Sequence, residues 1–313
     1  MIMTLIADSR IDLPMLPPLT DWQDTCTTVH MWSQVAGKVR LVLSPDINHG
    51  WGSTLYVTTR GLTTSPIPYS DFTFAIDFDF IEHLLRITTT QGTDRTFPLE
   101  PMSVAAFYRK IMLALSELGI EIKIFARPVE VEVAIPFEID EQHSSYDARA
   151  ITRYWHALVW VDQLFKEFRA RFIGKVSPVH FFWGGFDLAV TRFSGRIAPK
   201  HPGGAPNVAA RIMEEAYSHE VSSGGFWPGT GLGEAAFYAY AYPAPAGFNT
   251  YPVQPEAAYY HEKLGEFILP YEAVRKADDP AQALLSFLQT TYDAAANLAK
   301  WDRAALERKP LQS

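Results

Sequence analysis

Residues 72–80 read FTFAIDFDF. In an extended chain Phe72, Phe74, Ile76, Phe78 and Phe80 point one way, and Thr73, Asp77 and Asp79 the other. A helix would scatter those rings around its circumference, so period two over this length specifies a half-buried strand. The strand needs neighbours on both edges and an apolar layer over one face. Alternating runs at 38–43 (with Val39, Leu41 and Leu43 in phase), 53–60, 84–90 and 95–99 supply the neighbours. No helix intervenes between most of them, which predicts antiparallel pairing rather than a doubly wound parallel sheet.

Helical spacing supplies the covering layers. Residues 19–35 read as a helix, with Thr20 or Asp21 as N-cap and Gly37 as its stop. Residues 103–118 carry the stripe Val104, Phe107, Ile111, Leu115 and Leu118, ended by Gly119. Two strands are expected at 120–126 and 129–135. An acidic patch at 138–141 precedes a capping-box pattern of Ser144 with Asp147, and a long helix runs from there to 173. Further strands are expected at 179–193 (broken by Gly184-Gly185), 217–222, 235–242, 260–264 and 266–269, with a short helix at 207–216. Asp279-Pro280 with Gln282 opens the last helix, whose stripe is Leu284, Leu288, Tyr292, Ala295 and Leu298.

The expected fold is therefore α+β: mostly antiparallel sheets flanked by long helices, in two similar helix–sheet–helix halves. Residues 1–140 would form the first and 141–313 the second, closely associated as one unit. The chain has 313 residues, 48% of them hydrophobic, enough for a sizeable core. Its net charge of -8 argues against a broad electrostatic grip on nucleic acid or anionic membrane. Cys26 is the sole cysteine, so neither an internal disulfide nor a multi-cysteine metal site can form. The N-terminal segment lacks a basic n-region and carries Asp8 and Asp12, and no apolar run is long enough to span a membrane. A cytoplasmic location is the expectation.

The common chemical motifs are missing. The glycine-rich run at 229–233 lacks the Lys and Ser/Thr of a phosphate loop, and His219-Glu220 and His261-Glu262 lack the second His of a zinc protease. Asp77 and Asp79 could serve as paired carboxylates. Cross-strand ion pairs with Lys38, Arg40, Arg60 and Arg86 explain them more simply. A turn needs the Asn and Gly of the 48–52 run NHGWG but not His49 and Trp51, which makes those two binding candidates.

The densest concentration lies between 177 and 242. His180, Trp183 and Asp187 surround the Gly pair, and Tyr238, Tyr240 and Tyr242 share one strand face, a surface suited to an amphipathic ligand. Arg192 shares its face with Leu188 and Val190, so it needs a partner or lines a cavity. From Val221 to Pro255 the only charged residue is Glu234, against eight aromatics. One reading gathers His180, Asp187, His219 and Glu220 as acid, base or metal ligands in a single pocket. Arg192 and Arg196 would hold an anionic group there, and Trp183, Trp227, Tyr238 and Tyr240 would form its aromatic walls. The bland reading makes Arg192 and Glu220 a buried ion pair and His219 a core histidine.

The segments HFFWGGFDLAVTRFSGR (180–196), GFWPG (225–229), EFILPYEAVR (266–275), WSQVAGKVRLVL (32–43) and RGLTTSPIP (60–68) resemble a bacterial family known only as a domain of unknown function. The resemblance spans nearly the whole chain and implies one integrated unit. It implies no activity, cofactor or site residue. Three readings of function follow from the residues: a small-molecule binder or enzyme with an aromatic-lined polar pocket in the C-terminal half; a non-catalytic module that pairs with a partner or itself through aromatics and prolines between 227 and 255; and a metal enzyme using His180, His219 or His201.

Overall fold

The computed structural model describes residues 13–309. The segment with Asp8 and Asp12, on which the expectation of no secretory leader rests, lies outside them. Helix α1 (Gln23–Leu43) runs through the middle of the molecule, and every residue from 31 to 40 is buried. Two expectations fail here. Gly37 does not stop the helix, and residues 38–43 are its last turns rather than a strand. The alternation of Val39, Leu41 and Leu43 was misleading because a helix buried all round has no polar face to mark its period. Gly37 stays in the helix because the indole of Trp183 occupies the place of its missing side chain.

The first sheet comprises β1 (Tyr56–Val57), β2 (Gly61–Thr63), β3 (Ile67–Tyr69), β4 (Phe72–Asp79), β5 (Leu84–Thr89) and β6 (Asp94–Pro98). Its order is β1-β2-β4-β5-β6, with β3 also on β4, and all pairs are antiparallel. The phenylalanine strand is central, as its pattern requires, and Phe74, Ile76, Phe78 and Phe80 are buried. Asp79 accepts from Arg60 Nε at 2.7 Å and lies 3.5 Å from Arg86 Nε, so the cross-strand reading holds for these two arginines. Lys38 and Arg40 sit on α1 instead. Helix α2 (Val104–Glu117) starts at Ser103, whose hydroxyl accepts the amide of Ala106. Its Phe107 stacks on Trp32 of α1 at 4.9 Å and meets Phe78 and Phe97 of the sheet.

Residues 120–135 form no strand. The Gln34 side chain takes both backbone groups of Val129, each at 2.9 Å, and Glu130 N–H goes to the carbonyl of Pro206. The segment is tied down by a helix side chain and a distant loop, so it pairs with no sheet. Helix α3 (Ala148–Ala170) follows, capped by Asp147 rather than Ser144 and ending three residues earlier than expected.

The second sheet comprises β7 (His180–Phe182), β8 (Asp187–Ile197), β9 (His219–Trp227), β10 (Ala236–Tyr242), β11 (Tyr259–His261) and β12 (Glu266–Pro270), in the antiparallel order β11-β12-β10-β9-β8-β7. Helix α4 (Ala210–Ala216) lies in the link from β8 to β9. Helices α5 (Tyr271–Arg275), α6 (Pro280–Leu298) and α7 (Arg303–Leu306) end the described chain, and Asp279 caps α6 as its sequence signature predicts. One face of the sheet is apolar, with Leu188, Val190, Phe226, Phe237, Ala239 and Phe267, and packs under α3 and α6. Gly224 leaves room there for Leu288.

The fold is α+β with antiparallel sheets, as expected. Both halves run long helix, six-stranded sheet, helix, although the strand orders differ. One hydrophobic cluster extends from Leu13 to Trp301, and Leu55 and Phe181 exchange both backbone hydrogen bonds between the halves at 2.9 and 2.8 Å. Among the described residues no helix is long and apolar enough to cross a membrane.

Candidate functional site

The face of the second sheet that lies away from α3 and α6 follows from strand register. Tyr238 opposes Gly225, and Gly225 opposes Ala189; Tyr240 opposes Ser223, and Ser223 opposes Thr191. Residues two apart share a face. Asp187, Thr191, His219, Ser223, Trp227, Tyr238, Tyr240 and Glu266 therefore all lie opposite the helices. Gly225 lacks the side chain that would block the Tyr238 ring, so the ring lies across β9. Its hydroxyl donates to Asp187 Oδ2 at 2.5 Å. Tyr238 and Tyr240 stack at 6.1 Å, Trp227 meets Tyr238 edge-on at 5.6 Å, and the hydroxyls of Tyr240 and Tyr217 lie 2.9 Å apart.

Three carboxyls serve this face. Asp187, Trp227, Tyr238, Tyr240 and Glu266 are half-buried, and Glu130 is exposed. Glu130 reaches over from the loop after α2 with a left-handed backbone, φ 58°, which costs a residue with a side chain some strain. Its carboxylate lies where a side chain on Gly184 would be, and Gly185 similarly leaves room for Asp187. The Gly pair is thus a gap that lets two carboxyls close on one turn. Burial pushes the Asp187 carboxyl up to about 6, against the opposing pull of the Tyr238 hydroxyl. Glu130 is exposed as a residue but its carboxyl end is tucked against Gly184, and loss of water there, then the charge of Asp187, push it up to about 7; burial and then Asp187 push Glu266 up to about 7 as well. No ion pair among the described residues involves any of the three. Groups with such values can give or take a proton near neutrality, and as anions they attract a cation.

A histidine cluster occupies the far edge of the same face. His49 Nδ1 lies 3.1 Å from the carbonyls of Glu215 and Ala216 at the end of α4. Carbonyls only accept, so Nδ1 carries the proton and Nε2 accepts from Lys175 Nζ at 2.6 Å. His49 packs on Trp51 and Phe193, with His219 edge-on at 6.0 Å. His180 is buried against Trp51 and Tyr56; burial, then Arg40 and Arg169, hold its ring neutral, with its pKa down to about 3. Trp183 is buried, and its indole donates to the Ser53 carbonyl at 2.7 Å.

Of the predicted candidates, Asp187, His219, Trp227, Tyr238 and Tyr240 share this face with His180, His49 and Trp51. Arg192 and Glu220 do not. Arg192 points under the helices, its guanidinium 3.5 Å from the centre of the Phe168 ring and 4.4 Å from that of Tyr292. Glu220 pairs with Arg196 at 2.6 Å, so the anticipated Arg192–Glu220 bridge is absent. Arg196 is further held by the Ala299 carbonyl. The anion-binding arginines are thus engaged elsewhere. His201 stacks on Tyr217 at 4.5 Å, and among the described residues no group of three or more His, Cys, Asp or Glu side chains is placed to hold a metal ion. Sequence reasoning missed Glu130, Tyr217 and Glu266. The register of β12 on β10 could have revealed Glu266, but no local pattern marks Glu130.

The fold and this face define an α+β protein with an acidic, tyrosine-rich sheet surface. The chain belongs to DUF5996, a family of unknown function whose model matches residues 13–308. No curated protein and no solved structure matches it.

Proposed function

We propose that the tyrosine face of the second sheet binds a small organic cation, an amine-bearing molecule, with Asp187, Glu130 and Glu266 as its anionic partners. The observation that carries this reading is three carboxyls on one half-buried aromatic face with no cationic side chain paired to them among the described residues. An ammonium would donate charge-assisted hydrogen bonds to Asp187 and Glu130, which close on the Gly184-Gly185 turn, while Glu266 adds attraction at longer range and the rings of Trp227, Tyr238 and Tyr240 add cation–π attraction. This replaces the anionic ligand that Arg192 and Arg196 suggested. The near-neutral carboxyls also favour an enzyme that moves a proton on such a ligand, with Glu130 as acid or base. The partner-module reading loses support, because no aromatic from Trp227 to Tyr251 is fully exposed.

Titration calorimetry with n-butylammonium, and with n-butanol as its uncharged isostere, tests the reading. The ammonium binds and the alcohol does not. Asp187→Asn and Glu130→Gln each weaken binding about ten-fold, the scale of one lost charge-assisted hydrogen bond. Affinity falls as pH drops from about 8 to about 5, because carboxyls with raised pKa values take up protons in that window. Equal binding of alcohol and ammonium, or affinity unchanged in both variants, rules the reading out.

A further inference from the structure

We propose that a single small oxyanion, of the size of phosphate, binds at the junction of β1, α3 and the segment leading into β7, in a site separate from the carboxyls of Asp187, Glu130 and Glu266. A cleft of about 200 Å³ lies there, lined by Tyr56, Asp162, Lys166, Arg169 and Val179 among others. Behind its Tyr56 wall are two buried groups with unmet hydrogen bonds. Arg40 is 7% exposed; its guanidinium lies 5.2 Å from the centre of the Tyr56 ring and donates through one nitrogen to the Thr54 carbonyl, while Nε has no partner. His180 is 1% exposed, with Nε2 3.4 Å from the Tyr56 hydroxyl and Nδ1 without a partner.

The charge balance is one-sided. Lys166 and Arg169 are the cations in the lining and Arg40 stands behind its Tyr56 wall, while Asp162 is the single carboxylate in the lining, already engaged by Lys166. Arg169 spends its Nε on the Ser177 carbonyl at 2.7 Å and has no carboxylate partner among the described residues, and neither does Arg40. A buried guanidinium without a counter-ion is costly, and an oxyanion is the partner its geometry suits. A second cleft, of about 360 Å³, lies between the start of α1 and the glycine loop at 229–233, but it has no such charge and no unmet buried group in its lining.

The test is titration of the full chain with inorganic phosphate, followed by calorimetry and phosphorus NMR. The wild type binds one phosphate saturably. Arg169→Gln and Lys166→Gln each weaken binding about five-fold or more, the effect of removing one charge-assisted contact at a partly exposed site. Asp162→Asn tightens it, because the one repelling charge is gone. A purely structural role would move Asp162→Asn and Arg169→Gln in the same direction. Lys166 is largely exposed, so its variant keeps the test valid if Arg169→Gln fails to fold. Glu130→Gln leaves phosphate affinity unchanged, which separates this site from the three carboxyls. No saturable binding to the wild type, or the same affinity in Asp162→Asn, Arg169→Gln and Lys166→Gln as in the wild type, overturns the proposal.

Discussion

Arg192 is a charged side chain held almost wholly by aromatic rings. Phe168 and Tyr292 flank its guanidinium, one nitrogen donates to the Phe168 carbonyl at 2.5 Å, and Nε has no partner. Burial pulls its pKa down to about 10. The long stem fills space between α3 and α6 as much as the charge does work, so volume should matter more than charge. Arg192→Ala should cost roughly 3 kcal/mol, from the cavity and the orphaned carbonyl. Arg192→Met, which keeps most of the stem, should cost about 1 kcal/mol or less. Urea denaturation of the two variants checks this, and equal losses would show that the charge dominates. The sequence marked Arg192 as out of place, since strand parity put it beside Leu188 and Val190. It could not supply the answer, because the rings that hold it lie on α3 and α6. The same limit hid Glu130, whose role depends on a distant Gly pair. Asp187, Tyr238 and Tyr240 were legible because parity within a strand is a local property.

At the scale of elements, what could be read depended on whether a face met solvent. The strand β4, helix α2 and the Asp279 cap of α6 were all placed from spacing, because each has one apolar and one polar side or a local capping residue. Helix α1 has neither over its central turns, and the loop at 120–135 is organised by the Gln34 amide, which no local pattern announces. Gly37 gives this a measurable sign. In an exposed helix Gly→Ala stabilises by about 1 kcal/mol. Here a methyl group would enter the Trp183 indole, which is itself fixed by its bond to Ser53 and lies beneath Lys38. Gly37→Ala should therefore destabilise, by roughly 1–3 kcal/mol for overpacking. In a Trp183→Ala background the clash is gone and the same substitution should become neutral or favourable. Thermal melts of the four-member cycle read this directly, and a Gly37→Ala that stabilises the wild type would refute the close packing.

For the whole molecule the question is whether the two helix–sheet–helix halves stand alone. Their contacts argue that they do not. Trp183 of the second half fills the groove over Gly37 of the first, and His30 Nε2 lies 2.8 Å from the Gly184 carbonyl. Thr25 takes the amide of Asp147 at 2.9 Å, just where α3 begins. Tyr271 donates to the Pro14 carbonyl at 2.8 Å, and Leu19 N–H to that of Gly233 at 3.0 Å. With Leu55 and Phe181 paired by both backbone bonds, the cut between 140 and 141 would open a helix buried all round and an apolar seam. A helix in that position exposes its apolar side chains on both sides once its neighbours leave, and a fragment of that kind lacks the burial to offset the entropy of folding. Residues 1–140 and 141–313 expressed separately should each lack cooperative thermal unfolding and disperse poorly by NMR. Co-expressed, they should associate and recover a single transition close to that of the intact chain, since the seam can re-form without the covalent link. Two fragments that each melt cooperatively alone would mean that the seam is an interface between independent domains. In that case the loss of Trp183 should separate the halves and leave each folded.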